Sequence, residues 1–226
     1  MGNARSSDCL SLNRSEIWLD GLRSVAIFEW KQCEGLEQEE NSIRVTAREG
    51  CVALKMWPGS VVMSKFLISG DFPYSLHGKK VIEIGCGMGL VGLSIAKFMK
   101  PESVLLTDRE EIRPILSASI AANADNSCNK CEFEAFDWGD GAHLVRFRNI
   151  EIDFVFGSEL VYVEDQEPLT NAIEALLSER PLTGTRPILI LFYSSRSDQD
   201  EQYFRTQICA RFQLLGRSDR IYYFQK

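Results

Sequence analysis

Short apolar runs alternate with segments of helical periodicity along most of this chain. The apolar runs are typical of strands, and they occupy residues 81–84, 103–107, 131–136, 152–156 and 187–193. Between two of them, apolar residues recur every three or four positions, as at Leu169, Ile173 and Leu176, which predicts a helix. Strands that alternate with helices form a parallel sheet with helices on both faces. The pattern therefore predicts an α/β fold.

Further elements are predicted around and within this alternating region. They are helices at residues 61–68, 112–122 and 198–212 and strands at residues 25–28, 43–47, 51–56, 212–215 and 221–224. Two pairs of these strands are close in sequence and predict antiparallel hairpins, one near the N terminus and one that closes the chain. A closing hairpin makes the sheet mostly parallel with an antiparallel edge.

Composition narrows the class of protein. The chain has 226 residues, of which 45% are hydrophobic, so it is expected to form one domain with a sizeable core. No apolar run is long enough to span a bilayer, no signal peptide is visible, and the seven cysteines are scattered. These features predict reduced thiols and a cytoplasmic location. The net charge of −7 argues against nucleic acid as a partner and suits a basic protein or peptide better.

The clearest motif is V-I-E-I-G-C-G-M-G at residues 81–89, followed by an apolar helix pattern. A strand, a glycine turn and a buried helix begin a nucleotide-binding βαβ unit, which makes Gly85, Gly87 and Gly89 candidate cofactor-binding residues. The glycines alone leave the nucleotide open. Residues 87–92 satisfy G-x-G-x-x-G, and Asp108 lies where a ribose-binding acid belongs, so an NAD-binding Rossmann protein is an alternative.

Three features favour a different cofactor. Glu83 lies inside the first strand of the motif, and Asp137-Trp138 follows the third strand, where an acid and a ring could hold an adenine. The chain also ends in a hairpin and not in a second mononucleotide-binding half. Acids near the glycine turn would repel a pyrophosphate, but they favour a cationic cofactor without phosphates.

These residues resemble those of the seven-strand S-adenosylmethionine (SAM) methyltransferases. Residues 83–89 are similar to their first motif, and Asp108 is similar to the acid that bonds both ribose hydroxyls. The resemblance implies SAM as the cofactor. It also implies a Rossmann-like sheet of seven strands, mostly parallel, with a C-terminal antiparallel hairpin.

From about residue 43 to the end, the chain resembles more closely the methyltransferase-like protein lysine methyltransferases, which act on non-histone proteins. The similar pieces keep their order, and they are W-P-G-S at 57–60, T-D at 107–108, D-W-G at 137–139, G-S-E-L-V-Y at 157–162 and residues 193–204 with Arg196. The resemblance implies that Trp57 and Ser158 line the cofactor pocket. It places Glu159 and Tyr162 at the substrate mouth as the catalytic residues. Tyr162 is expected to form one wall of the lysine channel, and Glu159 to orient the amine or the adjacent loop.

Two positions depart from the family pattern. Glu159 stands where most members have Asp, and Ser119 replaces the first Asn of N-I-x-x-N in the helix at 112–122. Residues 1–42 are outside the resemblance, so we divide the chain into an N-terminal extension at 1–42 and a methyltransferase domain at 43–226. The first residues of the extension are expected to be disordered.

The expected function is methyl transfer from SAM to a lysine of a specific non-histone protein, such as a chaperone or a translation factor by analogy with the family. Two alternatives stay open, namely a methyltransferase for a protein histidine or a small amine, and a catalytically silent SAM-binding module. No metal site is expected, because Cys128 and Cys131 form a lone C-x-x-C pair. His77 and His143 are interpreted as surface residues of polar loops.

The N terminus carries one further signal. Gly2 with Ser6 fits the N-myristoylation pattern, and Cys9 could carry a second acyl chain. A membrane contact through lipidated Gly2 is therefore an expectation, beside the alternative of a solvated tail. We otherwise expect a monomer.

Overall fold

The computed structural model describes residues 11–18, 24–31, 42–47, 56–124, 130–162, 166–180 and 182–226. Gly2, Cys9 and Cys128 lie outside these residues, as does most of the strand predicted at 51–56. The first part of the chain forms a small antiparallel sheet of β1 (Ser11–Trp18), β2 (Ser24–Lys31) and β3 (Ser42–Ala47). The strand expected at 25–28 is confirmed within β2, whereas the pattern gave no sign of β1. β3 pairs with β2 and crosses the division that the sequence analysis placed after residue 42.

Seven strands form the main sheet, as the resemblance implies. They are β4 (Lys80–Ile84), β5 (Ser103–Asp108), β6 (Cys131–Ala135), β7 (Phe154–Ser158), β8 (Ile188–Phe192), β9 (Gln213–Ser218) and β10 (Ile221–Gln225). Their spatial order is β6-β5-β4-β7-β8-β10-β9. Strands from β6 to β8 pair in parallel, and β10 pairs antiparallel with both β8 and β9. The predicted fold class is confirmed.

The strand order places a crevice at the middle of the sheet. The chain runs outward from β4 through β5 to β6, and then returns to β7 on the other side of β4. Loops after β4 and β7 therefore leave the sheet in opposite directions. In open α/β sheets, ligands bind in such a crevice, at the carboxyl ends of the strands.

Helices cover both faces of the main sheet. They are α1 (Pro58–Ile68), α2 (Leu90–Phe98), α3 (Arg113–Ala122), α4 (Gly141–Arg148), α5 (Glu167–Leu176) and α6 (Asp198–Tyr203), which continues as a π-helix at Phe204–Cys209. One buried cluster joins α1, α2, α3 and β3 to one face, and a second joins α4, α5 and α6 to the other. No helix among the described residues is long and apolar enough to cross a bilayer.

The prediction that His143 lies in a polar loop is wrong, because this residue lies in α4. The helix begins after Asp140, whose side chain accepts hydrogen bonds from the backbone N–H groups of Ala142 and His143. Phe147 is the one side chain of α4 that is fully buried. A short helix with a single buried position shows no apolar period, so the pattern could not predict it.

Asn123 connects the small sheet to the end of α3. Its side-chain amide donates to the carbonyl of Arg44 at 2.6 Å and accepts from the backbone N–H of Arg44 at 2.9 Å. The amide thereby pairs with β3 as a neighbouring strand would. Ile43 and Val45 on β3 are fully buried against the α1–α3 face. Asn123 is the second Asn of the N-I-x-x-N motif. An amide is needed there because it both donates to and accepts from the backbone of Arg44.

Candidate active site

Gly85, Gly87 and Gly89 form the turn between β4 and α2, and all three have positive φ, at 57°, 55° and 78°. Residues with a Cβ adopt such backbone angles at a cost, so glycine suits each position. A Cβ on Gly85 would also lie 2.7 Å from Leu160 Cδ2 and 3.2 Å from the Trp138 ring. We call residues 85–89 the glycine turn.

Two carboxylates hold the glycine turn and the start of α2. Asp108 Oδ2, at the end of β5, accepts a hydrogen bond from the Gly87 N–H at 2.8 Å. Glu83 Oε2, inside β4, accepts from the Gly92 N–H at 2.7 Å. The Gly92 N–H lies in the first turn of α2, where backbone N–H groups have no intrahelical partner, and the Gly87 N–H lies in the turn before it. Each acid therefore satisfies a backbone donor.

Glu83 lies beneath the turn and away from the solvent. Its side chain is 1% exposed, and burial raises the pKa of Glu83 to about 8, against the opposing effect of the Gly92 N–H. Gly92 allows this arrangement, because a Cβ there would lie 2.1 Å from Leu106 Cδ2 and 2.8 Å from Glu83 Oε2. Glu83 and Gly89 are the two predicted cofactor-binding residues that do not line the cavity described next.

A cavity of about 500 Å³ opens where β4, β5, β6 and β7 end. Its wall includes the other predicted site residues, which are Trp57, Gly85, Gly87, Asp108, Asp137, Trp138, Ser158, Glu159 and Tyr162. Residues from four strand ends and from the start of α1 thus meet in one place. Cys86, Met88 and Phe136 also line it, and they are not among the predicted site residues.

At one end of the cavity, His143 orders the loop that follows β6. Its Nδ1 accepts a hydrogen bond from the backbone N–H of Asp137 at 3.0 Å. The Asp137 carboxylate in turn accepts from the Gly139 N–H at 2.9 Å. Sequence reasoning missed this role of His143. The sequence gave little signal for it, because here the contact depends on the start of α4 between Asp137 and His143.

At the other end, the Trp57 and Tyr162 rings stack on each other, and a third side chain lies beside them. Their ring centroids are 6.5 Å apart with an interplanar angle of 27°. The Arg196 guanidinium carbon lies 4.5 Å from the Trp57 ring centroid and 5.7 Å from that of Tyr162. Tyr162 is 47% exposed, so this end is open to a partner. We call Trp57, Glu159, Tyr162 and Arg196 the aromatic mouth.

Glu159 connects the start of α1 with Arg196. Its Oε1 accepts from the Gly59 N–H in the first turn of α1 at 3.0 Å, and its Oε2 pairs with Arg196 Nη2. Its side chain is 8% exposed, and its backbone has a φ of 60°, which is uncommon for a residue with a Cβ. A Cβ on Gly59 would lie 2.5 Å from Glu159 Cγ, so this contact requires glycine.

The charges on the cavity wall fit SAM better than a dinucleotide. Asp108 and Asp137 line it, and Arg109, the basic residue near them, pairs with Glu111 at 3.2 Å. Burial raises the pKa of Asp108, while the N–H groups of Gly87 and Arg109 act in the opposite direction. Carboxylates suit ribose hydroxyls and a sulfonium cation, and they would repel phosphates. Within the described residues, no cluster of acids, cysteines and histidines could hold a metal ion.

Comparisons with known proteins agree with this geometry. Residues 36–208 match the family described as lysine methyltransferase. The protein N-lysine methyltransferase METTL21A of Danio rerio is 31% identical over 165 residues, which cover 72% of this chain and 70% of that protein. The protein-lysine methyltransferase METTL21E of Mus musculus is 29% identical over 132 residues, which cover 57% of this chain and 53% of that protein.

Solved structures share the fold at low identity. An O-methyltransferase family protein from Burkholderia thailandensis has a TM-score of 0.54 at 14% identity, covering 75% of this chain and 55% of that one. SMU.776, described as a methyltransferase and complexed with S-adenosylhomocysteine, has a TM-score of 0.52 at 14% identity, covering 86% of this chain and 58% of that one. These solved structures support the fold. The matched family and the METTL21A relative show that the chain belongs to the lysine methyltransferase family and transfers the methyl group of SAM to lysine.

Proposed function

We propose that this enzyme methylates a lysine side chain of one specific non-histone protein, of the chaperone or translation-factor kind. The aromatic mouth carries the proposal, because it offers an open, ring-lined entrance beside the cofactor cavity. A lysine side chain has a long apolar stem, which packs favourably against aromatic rings. The names of the METTL21A and METTL21E relatives support a protein substrate.

In this proposal, the acidic end of the cavity holds the cofactor. Asp108 already accepts from the N–H groups of Gly87 and Arg109, which orient its carboxylate towards the cavity wall, where it can also accept from ribose hydroxyls. Asp137 and Trp138 would hold the adenine, and Ser158, at the end of β7, lines the same cavity. When bound, SAM supplies a methyl group on a positively charged sulfur.

The acceptor must reach that methyl group as a neutral amine. Removing the proton from an ordinary lysine at pH 7 requires roughly 4.6 kcal/mol, since its pKa is near 10.4. The amine lone pair would then take the methyl group, and the electrons of the broken carbon–sulfur bond would stay on sulfur. The methylated product starts as an ammonium and can release a further proton to water. Trp57 and Tyr162 would favour the neutral amine by excluding water from it.

The structure changes the hypothesis for Glu159. The sequence leaves open whether it orients the amine or the adjacent loop. Both carboxylate oxygens are engaged, one by the Gly59 N–H and the other by Arg196. This supports a role for Glu159 in holding the loop and the start of α1, and it leaves Tyr162 and Trp57 to contact the lysine stem.

The test is transfer of tritium from labelled SAM to the proteins of a cell extract, followed by hydrolysis and amino-acid analysis. We expect one labelled protein band that yields methyl-lysine, and no labelled band with the Asp108→Ala variant. Label in methyl-histidine, or only in small molecules, would contradict the proposal and support the other acceptors. SAM binding without any transfer would support a silent binding module.

A further inference from the structure

Arg196 joins three distant segments of the chain at the aromatic mouth. It lies between β8 and α6, its guanidinium stacks on Trp57 at 4.5 Å, and one of its nitrogens pairs with Glu159. Its side chain is 32% exposed, whereas that of Glu159 is 8% exposed. The positive charge of Arg196 therefore pairs with a carboxylate that is largely shielded from water in the folded protein.

An unpaired Glu159 would act against the reaction. A carboxylate within about 4–6 Å of an ammonium favours the charged form and moves the pKa of the amine upward by about 1–3 units. Glu159 lines the cavity together with Tyr162, at the end where the proposed function places the acceptor. Without a partner, it would bind the lysine as an ammonium, which has no lone pair for the methyl group.

We propose that Arg196 is a positioning residue that neutralises Glu159, so that the acceptor lysine loses its proton more readily in the mouth. This inference rests on the proposed function. The two residues have different roles. Glu159 fixes the start of α1 through the Gly59 N–H, and Arg196 neutralises the negative charge of Glu159 at the mouth. Arg196 acts through Glu159 and needs no contact with the methyl group.

Other charged groups near the mouth stay the same in every variant considered below. Asp108, Arg109 and Asp137 line the cavity on the side of the glycine turn. In the first turn of α6 lie Asp198, Asp200 and Glu201, and Glu201 is engaged by Arg205 Nε at 2.7 Å. Their effect on the pKa of the acceptor is the same in all variants. A difference between the pH profiles therefore measures the effect of the Glu159–Arg196 pair.

The test measures kcat against pH, between about pH 6 and about pH 10, around the range in which lysine titrates. The acceptor is the extract protein that takes up tritium from labelled SAM, purified and supplied at saturating concentration. We expect Arg196→Gln to move the midpoint of the profile upward by about one pH unit, which is about a tenfold loss of kcat at pH 7.

Three companion variants sharpen the result. Glu159→Gln leaves the guanidinium without its counter-charge and should move the midpoint downward, which provides a second test if Arg196→Gln does not fold. The double variant should return the midpoint towards that of the wild type. Arg196→Lys keeps the charge and should keep the midpoint. Its kcat can still fall, because the planar guanidinium and its stacking on Trp57 are lost.

Equal midpoints in the wild type, Arg196→Gln and Glu159→Gln, with kcat lowered by the same factor at every pH, would overturn the inference and show that the pair is only structural. The proposed function would survive that result. A wild-type protein that labels no lysine would instead overturn the proposed function, and the inference would fall with it.

Discussion

The two ends of the cavity are built by different means. At the glycine turn, acids from neighbouring strands bond to backbone N–H groups, and the side chain of Glu83 is 1% exposed. At the aromatic mouth, side chains bond mainly to each other, they come from three distant segments, and Tyr162 is 47% exposed. The glycine turn is thus part of the core, whereas the mouth is a surface cluster. Changes at the turn should affect stability, and changes at the mouth should mainly affect turnover.

The largest effect is expected at Glu83. Because its pKa is about 8 in the folded protein and near the ordinary value of 4.5 when unfolded, its stabilising contribution is complete below pH 4.5 and is lost as the pH rises through 8. Glu83→Gln removes this titration and keeps an acceptor for the Gly92 N–H. At pH 8 the variant should be more stable than the wild type by roughly 4 kcal/mol at most.

The measurement for Glu83 is urea unfolding at several pH values from about 4.5 to about 8. The difference in unfolding free energy between variant and wild type should grow by up to about 1.4 kcal/mol per pH unit. A difference that stays constant across this range would mean that Glu83 titrates normally, and that the turn is less isolated from water than its burial indicates.

The second-largest effect on stability is expected at Gly92, where there is no space for a Cβ. Gly92→Ala would place a methyl group 2.1 Å from Leu106 Cδ2, a side chain that is fully buried. Overpacking of this kind should lower the free energy of unfolding by about 3 kcal/mol. The matched control is Gly141→Ala, because nothing lies within 4 Å of a Cβ there, and its effect on urea unfolding should stay within about 0.5 kcal/mol.

A smaller effect on free energy, but a clear one on turnover, is expected at Tyr162. Tyr162→Ala removes one wall of the mouth, so methyl transfer should fall about tenfold, or about 1.4 kcal/mol in barrier height. The unfolding free energy should change by less than about 1 kcal/mol, because the ring is half exposed.

Val145→Ala is the control for Tyr162, since Val145 is 65% exposed on α4 and does not line the cavity. Val145→Ala should preserve both the rate of methyl transfer and the unfolding free energy. If Tyr162→Ala lowered stability as much as Gly92→Ala does, the distinction between a core turn and a surface mouth would be wrong.

The smallest effect is expected at His143, which belongs to the cofactor end but is partly exposed. His143→Ala removes the acceptor of the Asp137 N–H, and one lost hydrogen bond should weaken binding of S-adenosylhomocysteine about fivefold. His143→Asn places an amide oxygen near the position of Nδ1 and should restore most of the affinity. Titration calorimetry with the purified protein measures both, and equal affinities for all three proteins would show that this bond does not order the loop.

Much of the cofactor end could be predicted from the sequence. A glycine turn, a strand-end acid and an acid–tryptophan pair follow predicted strands in order, and parallel strands bring their carboxyl ends to one edge. Asp108, Asp137 and Trp138 accordingly line one cavity. The role of Glu83 was harder to predict, because a buried acid in a strand can face the ligand or the helix behind it. Only the packing of α2 places its carboxylate on Gly92.

By itself, the sequence determined the alternation of strands and helices, the glycine turn and the order of the family motifs, since these depend on residues close together in the chain. The tertiary structure decided which side chains neutralise one another. Glu159, Arg196 and Gly59 meet across long stretches of sequence, and Asn123 meets β3 in the same way. Such contacts follow from how helices pack on the sheet, which no local pattern of apolar and polar residues specifies.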